Sequence, residues 1–329
     1  MIIEKKPIKT PLTPIKSSLF DEYQVKVWVK RDDLNHPTVQ GNKWHKLKNN
    51  LLQAKKQGKD TLITFGGAYS NHIAATAAAA KSEGFKSIGM IRGDELANQP
   101  NKWSDTLRTA FNNGMQFNFV SRQAYRQKED LAFLSKLNNQ YPSAFIVPEG
   151  GSNQYAVLGF KDLVNDLNEQ CSEWTHIYCA VGTGGTLAGL IHFSQSSQTK
   201  GNSLNPNLSK KIIGVPVLKQ GEYLAPQIQN LLQQSGNIES QKNYDETNDK
   251  TDINWKLLTQ YHDGGYAKQS AEGKDFQQSF EQEFSILLDP VYTSKMVYAF
   301  FDQLKTGKIP KGSNIILLHT GGLQGRKKQ

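Results

Sequence analysis

Three short stretches carry residue types and spacings that could do chemistry. In VQGNKWHKLKNN, residues 39–50, Lys43 follows a Gly41-Asn42 turn and opens a helical pattern with Leu47 and Leu51 on one face. A lysine so placed is either a reactive amine or one more surface charge, and taken alone this one reads as surface. In CAVGTGGTLAGL, residues 179–190, a strand runs into Gly182-Thr183-Gly184-Gly185-Thr186 and on into a helix of small residues. Converging N–H groups, threonine hydroxyls and the helix dipole suit a phosphate. No Lys-Ser/Thr follows, so this is no Walker loop, and the spacing is not a strict G-x-G-x-x-G. A tight strand–helix turn without ligand is the plain alternative. In TFGGAYSNHIAATAAAA, residues 64–80, Ser70 and Asn71 stand at a helix N-cap. They either cap the helix or, with its free amides, hold a carboxylate. His72 is a polar lining residue or a first-turn surface histidine.

The elements around these stretches alternate. Strand candidates lie at 25–30, 61–67, 87–93, 116–121, 144–151, 176–181, 211–218, 255–261 and 314–322. Helical patterns such as 71–83, 102–113, 122–139 and 155–168 separate them. That alternation predicts parallel sheets with helices on their faces. Glycine-rich turns (FGGAYSN, PEGGSN, VGTGGT, HTGG) follow four of the strands at once, and in open α/β sheets ligands sit at strand carboxyl ends. Four such turns imply one shared cleft. The polar stretches 194–211 and 233–252 read as loops or insertions.

Bulk properties narrow the classes. A chain of 329 residues suits two lobes or one large α/β domain. The net charge of +9 comes from 39 Lys/Arg spread along the chain, without an aromatic-rich basic motif, so no nucleic acid is expected as partner. The apolar runs are far shorter than the roughly 20 residues of a membrane span, so no membrane partner is expected either. Charges and prolines in MIIEKKPIKTPLTP replace the apolar run of a secretory signal, and the chain is expected in the cytoplasm. The cysteines, Cys171 and Cys179, form no disulfide framework and match no metal spacing.

In combination the motifs say more. KRDD, GNKWHKL, GGAYSNH, PEGGSN, GTGGT, DPVYTSK and HTGG occur in this order over residues 7–325. The series resembles the fold-type II pyridoxal-phosphate enzymes, in the group of 1-aminocyclopropane-1-carboxylate (ACC) deaminase and D-cysteine desulfhydrase. The resemblance implies an α/β fold of two open parallel-sheet domains, similar to the tryptophan synthase β chain, with pyridoxal 5'-phosphate in the cleft between them. Residues 1–45 and 158–329 would form the large cofactor-binding domain and 46–157 a small α/β domain. It also implies a small amino-acid substrate and a homodimer.

Residue by residue, the resemblance makes Lys43 the lysine that carries the cofactor as an imine. Such an amine must fall from its ordinary pKa of about 10.4 to act as a base near neutrality. Lys46 and Lys48 match no catalytic position and read as surface, with Lys46 near enough in sequence to be a rival. Gly182, Thr183, Gly184, Gly185 and Thr186 would grip the phosphate, and Asn71 the ring hydroxyl. Ser70, with the Asn71 and His72 amides, would receive the substrate carboxylate, and Ser70 would share in proton transfer. Tyr266 and Tyr292 correspond to the two active-site tyrosines, with core packing as the alternative.

Thr293 and Thr320 match the desulfhydrase pattern; ACC deaminases typically carry a glutamate where Thr293 stands, facing the pyridine nitrogen. A carboxylate there is worth roughly 4 kcal/mol at 4 Å, about three pKa units. A threonine carries no charge, so the ring is a weaker electron sink and a good β-leaving group is favoured. The expected reaction is α,β-elimination on a small D-amino acid, D-cysteine to pyruvate, ammonia and hydrogen sulfide. ACC deamination to 2-oxobutanoate and ammonia is the alternative, and a non-catalytic phosphate- or nucleotide-binding protein the second. The sequence departs from the family at Tyr69, at Ile73-Ala74-Ala75-Thr76 and after the final double glycine, all on the substrate side.

Overall fold

A computed structural model describes residues 3, 8–196, 209–240 and 254–326. Among the described residues ten strands run in chain order: β1 Leu12–Ile15, β2 Lys26–Lys30, β3 Thr61–Gly67, β4 Lys86–Arg92, β5 Gln116–Val120, β6 Ala144–Val147, β7 His176–Val181, β8 Lys211–Pro216, β9 Asn254–Leu257 and β10 Asn314–Leu318. They form two open sheets, of order β1-β2-β10-β7-β8-β9 and β5-β4-β3-β6. Every strand pair is parallel except β1–β2.

The strand orders place the ligand site. In the smaller sheet the chain moves outward from β3 to β4 and β5, then returns to the other side of β3 as β6. In the larger sheet it moves outward from β7 to β8 and β9, and β10 returns to the other side of β7. Each reversal opens a crevice at the carboxyl ends of two strands. Those four strands are the ones with glycine turns at their ends: Gly66–Ser70 from the last two residues of β3, Glu149–Ser152 after β6, Gly182–Gly185 after β7 and Thr320–Gly322 after β10.

The strands buried on both faces read as continuous apolar runs, as parallel sheets require: HIYCAV of β7 is buried throughout. One core, with Phe20, Phe280, Phe300 and Phe301, covers one face of the larger sheet; another, with Phe160, Leu163, Leu187 and Leu190, covers the other. The helix Asn71–Glu83 is slim enough to bury nearly all round, because alanines fill its middle.

Several boundaries differ from the sequence expectation. β1 was not expected, since Pro11 and Pro14 argue against a strand; Pro14 is tolerated because β1 is an edge strand. The helix expected over 122–139 is two, Arg122–Tyr125 and Leu131–Gln140, because Asp130 caps the second by accepting from Ala132 and Phe133 amides. The pattern 155–168 also divides, at Gly159, which lies against the His45 carbonyl where a Cβ would stand only 2.0 Å away. Residues 233–240, read as loop, complete the helix Leu224–Ser240. The rest of that stretch and most of 194–211 lie outside the described residues.

Candidate active site

The segment after β2 holds the Gly41 turn. The Asn35 side chain donates to Gly41 O (3.0 Å) and accepts from Gly41 N (2.8 Å), as a second backbone strand would. Asp32 accepts from Asn35 Nδ2 at 3.2 Å and from His45 Nε2 at 3.1 Å, joining turn and helix. Gly41 has φ +61°, and a Cβ there would lie 2.0 Å from Thr320 O. Only glycine allows the turn to press so closely on the end of β10.

That turn launches the helix Asn42–Lys56 with Lys43 facing the cleft. Lys43 Nζ donates to Asn42 Oδ1 at 2.8 Å, and Asn42 Nδ2 donates to Thr186 Oγ1 at 2.9 Å. Burial lowers the Lys43 amine to about 8, against the opposing pull of Asp289. Asp289 is itself 1% exposed and pushed up to about 7 by burial, although the Tyr292 and Val291 amides and Lys43 favour its ionised form.

Lys46 is not the surface lysine expected. It is 3% exposed, and its ammonium donates to Gly150 O (3.0 Å), to Ser152 Oγ (2.9 Å) and, at 3.5 Å, to Thr183 Oγ1. Burial, and then Lys43, lower its pKa well below the ordinary lysine value. Its spacing of three from Lys43 puts both on one helix face, and that was the available signal. Lys48 lies away from the cleft lining, paired with Asp162 at 3.5 Å and placed over the Trp44 ring.

On the opposite wall, Ser70 occupies the N-cap position of Asn71–Glu83 but makes no side-chain cap bond, leaving its hydroxyl for a ligand. His72 is buried rather than on the surface. Thr64 Oγ1 donates to Val147 O at 2.9 Å and so accepts from His72 Nε2 at 2.8 Å. His72 Nδ1 is left as a buried acceptor with no partner among the described residues. Burial, then Lys43 and Lys46, keep this imidazole neutral by lowering its pKa well below the ordinary value.

Tyr266 and Tyr292 meet edge to face with centroids 6.1 Å apart, and burial first of all raises both phenol pKa values. The Tyr266 loop is tied down by Lys295, whose buried ammonium donates to His262 O (2.8 Å) and Gly265 O (2.7 Å). One cleft of about 630 Å³ is lined by Lys43, Lys46, Ser70, Asn71, His72, Gly182, Thr183, Gly184, Thr186, Tyr266, Tyr292 and Thr320. Two expected residues are not on its wall. Gly185 faces Ser152, and Thr293 is fully buried with its hydroxyl accepting from Asp289 N (2.7 Å) and donating to Asp289 O (3.2 Å). Sequence reasoning passed over Asn42, Arg92, Glu149, Asp289 and Lys295; the last two flank motif residues in DPVYTSK.

Residues 3–321 match the model of the pyridoxal-phosphate dependent enzyme family. The chain belongs to this family. The D-cysteine desulfhydrase of Klebsiella pneumoniae is 29% identical over 311 residues, covering 92% of this chain and 89% of its own. The bifunctional D-cysteine desulfhydrase/ACC deaminase of Arabidopsis thaliana is 28% identical over 314 residues, 91% of this chain and 73% of its own. The crystal structure of an ACC deaminase homologue superposes with TM-score 0.77 at 26% identity, covering 98% of this chain and 94% of that one.

Pyridoxal phosphate is the cofactor of this family, and the cleft's donors fit it. A depressed amine suits the aldehyde, and Lys46 stands among the hydroxyls of Ser152 and Thr183 beside the glycine turn, where a phosphate needs a cation. Gly182 and Gly184 let this turn pack closely: Cβ atoms there would lie 3.2 Å from the Tyr292 ring and 2.8 Å from Ile228. Among the described residues no helix is long and apolar enough to cross a membrane.

Proposed function

We propose that this pyridoxal-phosphate dependent enzyme carries out α,β-elimination on a small D-amino acid such as D-cysteine, which would give pyruvate, ammonia and hydrogen sulfide. The observation that carries the assignment of Lys43 is its depressed amine, linked through Asn42 to Thr186 of the phosphate turn. When bound, the cofactor supplies a conjugated ring that accepts the electron pair left as the substrate loses its α-proton.

The chain's own groups do the rest. Lys43 holds the cofactor aldehyde and, once freed, removes the α-proton; at about 8 its amine is a far better base near neutrality than an ordinary lysine. Gly182, Thr183, Gly184, Thr186 and Lys46 hold the phosphate, Asn71 the ring hydroxyl. Ser70 and the Asn71 and His72 amides hold the substrate carboxylate. The Tyr266–Tyr292 pair, kept protonated by burial, gives a proton to the departing sulfur. Thr320 is the threonine on the wall, and position 293 brings no negative charge to the ring. We further propose that residues 46–157 form a small lobe against a large one of 1–45 and 158–329, and that the enzyme is a cytoplasmic homodimer.

The test is a comparison of two products from purified holoenzyme. Sulfide and pyruvate from D-cysteine should form well above any 2-oxobutanoate from ACC. The opposite ranking would make ACC deamination the reaction.

A further inference from the structure

Charged groups gather at the cleft mouth that the reaction above does not use. Arg92 ends β4 and is paired in register with Gly67 of β3, both on the cleft lining. Gly67 has no side chain to block it, and a Cβ there would lie 3.6 Å from Arg92 Nη2. Gly67 O accepts from Ser70 N at 3.0 Å, so the guanidinium abuts the turn that carries Ser70. On its other side Arg92 lies over the Tyr125 ring, 5.8 Å from the centroid. Tyr125 is fixed in turn by donating to Glu149 Oε1 at 2.7 Å.

The other cation of this cluster is already neutralised. Lys128 pairs with Glu149 at 3.4 Å and with Glu129 at 3.5 Å. Among the described residues no carboxylate lies within ion-pairing distance of Arg92, so its planar fork is exposed, braced and unspent. A fork of that kind matches carboxylate, sulfinate or phosphate oxygens two at a time.

We propose that Arg92 is a specificity-determining residue, and that the substrate is an amino acid bearing a second anionic group on its β-substituent. The proposal rests on the elimination reading above. With O-phosphoserine the step balances without a redox partner: the Cα–H and Cβ–O bonds break and a Cα–Cβ double bond forms. Phosphate leaves with the electron pair, and the enamine takes up water to give pyruvate and ammonia.

The experiment uses holoenzyme and both enantiomers of cysteine, serine and O-phosphoserine, with kcat/KM read from pyruvate release. Binding of 2-amino-3-phosphonopropionate against alanine is read from the shift of the cofactor's visible absorbance. Anionic compounds should lead their neutral counterparts by about tenfold or more in both readouts, a difference of about 1.4 kcal/mol. Arg92→Gln should shrink that ratio by about fivefold or more, chiefly through KM, while Arg122→Gln, whose guanidinium pairs with Glu95, leaves it in place. No anionic preference, or a ratio untouched by Arg92→Gln, overturns the proposal. Turnover of D-cysteine without that preference leaves the elimination reading standing alone. Arg92-dependent phosphonate binding without elimination of any compound does the reverse.

Discussion

Asn42 Nδ2 lies 2.9 Å from Thr186 Oγ1, so one carboxamide spans the gap between the Lys43 amine and the turn after β7. The two residues are 144 positions apart and come from opposite sides of the cleft. The bond therefore sets the distance between the amine proposed to take the cofactor's aldehyde end and the turn proposed to take its phosphate end.

Lys43 and Lys46 occupy the two ends of that span, and their loss should differ in kind. Lys43→Ala should abolish the visible absorbance of covalently held cofactor and all turnover. Lys46→Ala should keep the absorbance but raise the cofactor Kd by about tenfold or more, since a charge-assisted contact to phosphate is worth about 1.5–3 kcal/mol. Absorbance titration with pyridoxal phosphate reads both. Loss of the absorbance in both variants would undo the assignment.

Asp289 makes the fold pH-dependent. Its folded pKa of about 7 stands above the ordinary 3.8, so the folded state holds a proton that the unfolded state has lost between those values. The contribution is fully present below about 4, declines as pH rises, and is gone above about 7. Asp289→Asn keeps an oxygen for the Val291 and Tyr292 amides without the buried charge. The cofactor-free variant should be more stable at pH 8 by a few kcal/mol, and the gain should vanish near pH 4. Urea denaturation at both pH values measures it; a gain independent of pH would place the penalty elsewhere.

The architecture was legible in the sequence because parallel strands are buried on both faces and leave apolar runs with glycine at their ends. β1 was hidden by Pro11 and Pro14, whose cost disappears only at a sheet edge, and edges are set by tertiary pairing. The site's main-chain elements were equally legible, since Gly41, Gly182 and Gly184 mark close approaches. Its second circle was not. Lys46 looks like any helical lysine until Gly150 and Ser152, more than 100 positions away, close on it. Asp289 gains its raised pKa only from burial, which no local pattern announces. Arg92 reaches the turn that carries Ser70 because its strand partner happens to be Gly67.

Thr293 gives a test of structure against motif. Its hydroxyl satisfies both the amide and the carbonyl of Asp289. Thr293→Val should leave the buried Asp289 amide without its partner, while the carbonyl keeps the Ser294 amide, and cost about 1–3 kcal/mol of stability. Thr320→Val should cost less and instead alter the spectrum of the bound cofactor. Chemical denaturation and absorbance on the two variants decide; an unchanged stability with an altered spectrum for Thr293→Val would return Thr293 to the ring.

Lys295 is a buried cation that ties the loop carrying Tyr266. Its ammonium, drawn below the ordinary pKa by burial, is bound by the carbonyls of His262 and Gly265, and among the described residues no carboxylate pairs with it. The loop it ties runs through positive φ at Asp263, Gly264, Gly265 and Ala267, a conformation costly for the two non-glycine residues. Without the tether the loop should relax toward commoner backbone angles and carry Tyr266 away from Tyr292. Lys295→Met should therefore lower kcat by about tenfold or more with a smaller change in KM, if Tyr266 is the proton donor proposed above and acts in the transition state. Lys295→Arg should recover part of the loss, and added ammonium or potassium should partly rescue Lys295→Ala by refilling the carbonyl pair. A Lys295→Met enzyme that loses stability but keeps its kcat would show that the tether serves the fold alone.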